Sequence, residues 1–201
     1  MKRTLKRNLK IKFQKHFKFL TTLACLPAIL VCGGCATNSK TVSPQNHEEA
    51  TFLFHFTEFV EWPPAAFQTS DAGRPLPLVI GVLGGNPFGD ELEKSVRGQM
   101  VSGRPVVVRR MTPFSNLKQC QVLFINHLIK ARLPLIFTSL GNSSTLTVSD
   151  ADGFLAAGGM IQFINDNGKV RFEINRKAAE KAGLKMNSQL LMMAKSPEAS
   201  H

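Results

Sequence analysis

Cysteine is scarce where it would matter. Of four cysteines in 201 residues, Cys25, Cys32 and Cys35 lie within the first 35 positions. Cys120 is left alone in the remainder, so no intramolecular disulfide is available there. Acidic residues are missing from the whole leading stretch, since none precedes Glu48. No apolar run is long enough for a comfortable membrane span, which takes about 20 residues; Phe19 to Cys32 is a run of fourteen that includes Pro27. Catalytic signatures are lacking too. No serine sits in a nucleophile elbow, there is no H-E-x-x-H, and His55 and His127 are too few and too far apart in sequence to announce a metal site. A thiol dyad of Cys120 and His127 fails on geometry, because the two stand at opposite ends of one expected strand, about 20 Å apart at ~3.3 Å per residue. No cofactor is expected. Internal repeats and low-complexity segments are also missing.

What is present is an asymmetric charge. The net charge of +11 first suggests a nucleic-acid binder. Lys2, Arg3, Lys6, Arg7, Lys10, Lys12, Lys15 and Lys18, however, supply eight of the 25 cations, and without them 17 cations face 14 acids, a balance of +3. No nucleic-acid partner is expected. A basic head followed by a short apolar run is the pattern of an export signal. Cys35, preceded by Gly33-Gly34, looks like a bacterial lipoprotein processing site and hence a candidate lipid anchor, although Cys32 stands where such sites usually carry leucine. Ordinary cleavage after Ala36 is the alternative. Residues 1–35 are therefore read as a signal peptide and 36–47, polar and containing Ser43-Pro44, as a tether.

The expected domain runs from 48 to 195, with 196–201 as a tail. Glu48 to Glu61 reads as a helix with Phe52, Phe56 and Phe59 as its buried stripe, ended by Pro63-Pro64. Leu78 to Leu83 is a continuous apolar run suited to a strand buried on both faces, and Asn86-Pro87 suits the start of a helix to about Arg97. Val106–Arg109, Val122–Asn126 and Leu146–Ser149 are further strands, and Leu128 to Leu140 is a candidate helix broken early by Pro134. Val170, Phe172 and Ile174 alternate with Arg171, Glu173 and Asn175, and Met160, Phe163 and Ile164 line a preceding run; Asn167-Gly168 between them predicts an antiparallel hairpin. Helices over 176–182 and 188–194, separated by Gly183, close the chain. The fold class is α/β: one domain, a mixed sheet with helices on both faces, and a C-terminal hairpin and helices.

In such sheets ligands bind beyond the carboxyl ends of the strands. Ser149 and Asp150, with Asn126 and His127 from the neighbouring strand, either receive a small polar ligand there or merely cap the local loop. Gly84 to Gly89 follows a strand and opens a helix, yet it has no G-x-G-x-x-G and lacks the lysine and hydroxyl of a phosphate loop, so it reads as a tight turn. Glu58 and Glu61 share a face of the expected helix, as a carboxylate pair or as solvated charges. Trp62, the sole tryptophan, is a partner anchor or a packed residue with its indole N–H bonded to a loop carbonyl. Arg171 and Glu173 form a cross-strand ion pair or a charged docking surface. Cys120 is a packed, inert thiol or the link of a homodimer.

Several blocks in order carry a resemblance: FLFHFTEFVEWP from Phe52, LVIGVLGGNPF from Leu78, GRPVVVR from Gly103, CQVLFI from Cys120, TVSD from Thr147, GGMI from Gly158, RFEIN from Arg171 and AGLKMNSQLL from Ala182. Over about residues 49 to 195 the chain resembles the YfiR-like family of periplasmic proteins. The resemblance implies a non-catalytic periplasmic regulator that binds the periplasmic domain of a membrane-bound diguanylate cyclase or sensor kinase and lowers cyclic-di-GMP. Some relatives carry cysteine pairs, of which this chain keeps only Cys120. The alternative from another class is a periplasmic small-solute-binding or transport-accessory protein.

Overall fold

The computed structural model describes residues 42–67, 75–111 and 114–195, the side chains of 114–116 excepted. The expected signal peptide with Cys35, the first half of the tether (36–41) and the tail lie outside the described residues. Helix α1 spans Pro44–Phe59, beginning four residues before the expected Glu48. The reason is local: the Ser43 hydroxyl accepts the N–H of Asn46, and Pro44 occupies a first-turn position where a missing N–H costs nothing. A Ser-Pro pair that punctuates a tether also starts a helix. Ala50, Leu53 and Phe56 are buried along α1, with Phe52 and Phe59 packed against them. The helix stops at Phe59, so Glu58 and Glu61 do not share a helical face. Val60–Glu61 is instead a short strand, β1, antiparallel to β9 at Lys185–Met186.

The main sheet has seven strands: β2 (Leu78–Leu83), β3 (Met100–Val101), β4 (Arg104–Met111), β5 (Val122–Ile125), β6 (Leu146–Ser149), β7 (Ile161–Asp166) and β8 (Lys169–Ile174), in the order β3-β4-β2-β5-β6-β7-β8. Strands β4, β2, β5, β6 and β7 run parallel, while β3 and β8 are antiparallel to their neighbours. Burial on both faces explains the unbroken apolar runs. Leu78, Ile80, Val82, Val122 and Phe124 enter the core beneath α1, whereas Val79, Leu83, Leu123 and Ile125 enter a second core with Leu133, Ile136 and Leu140.

The expected hairpin is present. Asn167 and Gly168 have φ of +53° and +82°, as a two-residue turn between right-twisted strands requires. The same chemistry at Ser102-Gly103 joins β3 to β4, a hairpin that extends the strand expected at Val106 back to Arg104. Helix α2 covers only Glu91–Val96, because Asn86 is spent in a turn: its Oδ1 accepts the Phe88 N–H and its Nδ2 donates to the Gly89 carbonyl. Helix α3 is Leu133–Leu140, reached through a 3-10 turn over His127–Arg132. Pro134 lies in the first turn of α3 and starts that helix rather than breaking it. Helices α4 (Arg176–Lys181) and α5 (Ser188–Met193) follow β8. Among the described residues no helix is long and apolar enough to cross a membrane.

Candidate functional site

In this strand order the chain reverses direction across the sheet between β2 and β5, and the crevice beyond their carboxyl ends is where doubly wound sheets place ligands. Here protein fills it. A Cβ built on Gly84 would stand 2.5 Å from Ile129 Cγ1, so the side chain of the 3-10 turn lies directly on the Gly84 backbone. On the neighbouring turn, a Cβ on Gly89 would meet Val42 at 2.8 Å, and Asn46 of α1 donates to the Pro87 carbonyl at 2.8 Å. Ile129 thus covers the turn at Gly84 and Val42 covers it at Gly89, while Gly85 between them stays exposed.

The four residues picked from the sequence do come together one strand further along. Asn126 is buried and its Oδ1 accepts the Leu128 N–H at 2.8 Å, capping the 3-10 turn. Ser149 is fully buried; its hydroxyl donates to the Ile125 carbonyl at 2.6 Å and accepts the Ala151 N–H at 3.0 Å. Asn126 thus holds its own turn, and Ser149 ties the loop after β6 to the end of β5. Asp150 takes the His127 N–H on Oδ1 at 2.8 Å, and the His127 Nδ1 lies 2.5 Å from Oδ2. His127 keeps 55% of its side-chain exposure and Asp150 only 16%, so the imidazole is the part of this group that solvent or a partner meets.

A further acid near this edge was not among the sequence candidates. Glu49 is 2% exposed and accepts from Gln45 Nε2 at 3.1 Å. Burial pushes its carboxyl up to about 7; the Gln45 amide opposes that rise, the Asp150 charge adds to it and His127 opposes it. Glu49, Leu53 and Phe56 follow the i, i+4, i+7 spacing of one helical face, which was the available signal. A helix start at Glu48 hides that signal, because it puts Glu49 in the first turn, where acids are ordinarily solvated.

The candidate partner residues do not form one patch. Trp62 is half-buried and its indole N–H donates to the Gln121 carbonyl at 3.1 Å, at the amino end of β5. That backbone is itself held by the buried Gln121 side chain, which accepts the Val79 N–H and donates to the Ala66 carbonyl, both at 2.8 Å. Arg171 and Glu173 lie on β8, three strands from β5, about 14 Å at ~4.8 Å per strand. They face Ile164 and Gln162 across the hairpin, so no cross-strand ion pair forms between β7 and β8 at these positions. Arg171 is exposed, and Glu173 bridges in parallel to Lys195. Cys120 is buried and free; its Sγ lies 3.9 Å from Met111 Sδ, and burial pushes its thiol up to about 11, with Arg109 opposing. No group of three or more His, Cys, Asp or Glu that could hold a metal ion occurs among the described residues.

The model of the YfiR/HmsC-like family matches residues 47–195, the whole described domain apart from its first residues. The chain belongs to that family. No curated protein matches the sequence. Among solved structures, the YfiR/HmsC-like chain is similar to an ABC domain in complex with L-Trp from Streptococcus pneumoniae, with 12% identity over 73% of this chain and 59% of that one and a TM-score of 0.49. It is also similar to a conserved domain protein from Vibrio cholerae O1 biovar El Tor, with 15% identity over 59% of this chain and 54% of that one and a TM-score of 0.43. In both cases this chain spans less than two thirds of the other.

Proposed function

We propose that this chain is a periplasmic signalling regulator that acts by binding, restraining the periplasmic domain of a membrane-bound diguanylate cyclase and so lowering cyclic-di-GMP. The observation that carries the reading is the family match over residues 47–195. Two features of the site support binding over catalysis. The hydroxyl of Ser149, the residue before Asp150, donates to a main-chain carbonyl inside the protein, and the Cys120 thiol, at the other end of β5, is buried and held protonated. The basic head and short apolar run support export, and Cys35 is the proposed lipid anchor.

Deletion of the gene tests the regulator reading directly. Cyclic-di-GMP should rise and fall again on complementation, and affinity capture of the exported protein from its own envelope should recover a membrane enzyme with a periplasmic domain. An unchanged second-messenger level with capture of permease components would instead establish the solute-binding alternative. Radiolabelled palmitate should enter the parent chain and not Cys35→Ala; an unlabelled parent chain would refute the anchor.

A further inference from the structure

At the opposite end of β6 from Asp150 the structure holds a cavity of about 240 Å³ between the carboxyl end of α3, the loop into β6, the turn before β7 and α4. Its apolar wall is Phe137, Leu140 and Met160. Its polar wall is unlike the site beyond Ser149, because hydrogen-bonding capacity remains there. Thr145 and Thr147 are each 2% exposed. The Thr147 hydroxyl accepts the Met160 N–H at 3.2 Å and retains its own proton. The Ser143 and Thr145 hydroxyls share one hydrogen bond at 3.1 Å, which leaves a second proton over. At the rim stands Lys181, which has no ion-pair partner among the described residues.

Two hydroxyl protons and an ammonium, with no acidic side chain in the lining, make a donor-rich wall opposite an apolar one. The carboxyl ends of α3 and α4 both border the cavity, and their dipoles disfavour an anion. That effect is weakened here, because the Phe137, Leu140, Ala178, Ala179 and Glu180 carbonyls already accept N–H groups of the capping residues. The whole charge of Lys181 outweighs half-charges so capped. We infer that this cavity binds a small aliphatic monocarboxylate, with the carboxylate on Thr145, Thr147 and Lys181 and the alkyl chain against Phe137, Leu140 and Met160. At about 240 Å³ the cavity lies just below the usual range of small-molecule pockets, about 300–1,000 Å³, which suits a ligand as small as hexanoate. This site stands on the cavity itself and is independent of the partner enzyme's identity.

The test is titration of the protein, purified as cells process it, with sodium hexanoate, read by calorimetry and by amide chemical shifts. Saturable one-to-one binding in the micromolar to millimolar range is expected, with shifts centred on Gly141, Thr145, Gly158 and Lys181. Lys181→Gln should weaken it about tenfold. Ala157→Leu, at an exposed rim position, should block entry while leaving the circular dichroism spectrum unchanged. Hexylamine and hexanol should each bind at least tenfold more weakly than hexanoate. Hexylamine binding as tightly as hexanoate would overturn the anion assignment. Undiminished hexanoate binding by folded Ala157→Leu, shifts centred elsewhere, or no saturation at millimolar concentration would overturn the site.

Discussion

Asp150 holds His127 twice, through the backbone N–H at 2.8 Å on one carboxylate oxygen and through the imidazole Nδ1 at 2.5 Å on the other. The two residues follow adjacent parallel strands, β5 and β6, so this contact locks the loops at the carboxyl end of the sheet together. The backbone half of the contact survives changes at His127 but not at Asp150. Asp150→Ala should therefore destabilise by about 1–2 kcal/mol, as expected when a hydrogen bond to a charged and mostly covered carboxylate is lost, and His127→Ala by under about 1 kcal/mol. Urea unfolding measures both, and equal penalties would show that the side-chain half dominates.

Glu49 gives the fold a pH dependence of defined sign. Its carboxyl titrates near 4.5 when the chain is unfolded and at about 7 in the folded protein, so between those values the folded state binds more protons. Stability from this group is thus complete below about pH 4.5 and is lost as pH rises towards 7, with a slope on the order of 1 kcal/mol per pH unit. Glu49→Gln keeps a side-chain oxygen for the Gln45 amide and cannot ionise. Thermal unfolding at pH 5 and pH 8 should show the variant gaining on the parent at pH 8; parallel curves for the two proteins would refute the assignment.

Cys120 packs so closely on β2 that a Cβ added to Gly81 would lie 2.6 Å from its Sγ. With burial holding the thiol at about 11, the thiolate is a minor species at neutral pH. In the protein freed of its leading segment, where Cys120 is the one free thiol expected, a thiol reagent at pH 8 should leave the native state unlabelled and react once per chain in denaturant. Fast labelling of the folded protein, or a disulfide-linked dimer under oxidising conditions, would restore the homodimer link. Cys120→Ser should remain folded at a cost of about 1–3 kcal/mol, since its hydroxyl enters an apolar site.

The parts of the fold legible in sequence are those whose signal is local. Leu78–Leu83 announces a strand buried on both faces by being apolar throughout, and Asn167-Gly168 specifies its own turn. The β1–β9 pair was not legible: Val60 and Glu61 abut a helix, and their partners Met186 and Lys185 are remote in the chain. At the candidate site, proximity of Asn126, His127, Ser149 and Asp150 followed from strand ends alone. That Asn126 caps its own turn and Ser149 ties its loop to β5 did not, because Ser149 reaches the Ile125 carbonyl only once β5 and β6 are side by side. Gln121, whose side chain bonds the Val79 and Ala66 backbones, gave no periodic signal at all.

Trp62 and the Arg171–Glu173 pair should separate under mutation, because the structure gives them different work. Trp62→Phe removes the hydrogen bond to the Gln121 carbonyl from a half-buried site and should cost about 1 kcal/mol in unfolding while partner capture stays unchanged. Arg171 is exposed on β8, where a side-chain change leaves the ladder with β7 intact, so Arg171→Glu combined with Glu173→Lys should keep the circular dichroism spectrum of the parent. If β8 carries the docking surface, this double reversal opposes like charges to the partner's and should cut capture of the enzyme at least tenfold, with cyclic-di-GMP rising in cells. Wild-type capture by the reversed protein would remove β8 from the interface, and loss of capture by folded Trp62→Phe would move the interface to the amino end of β5.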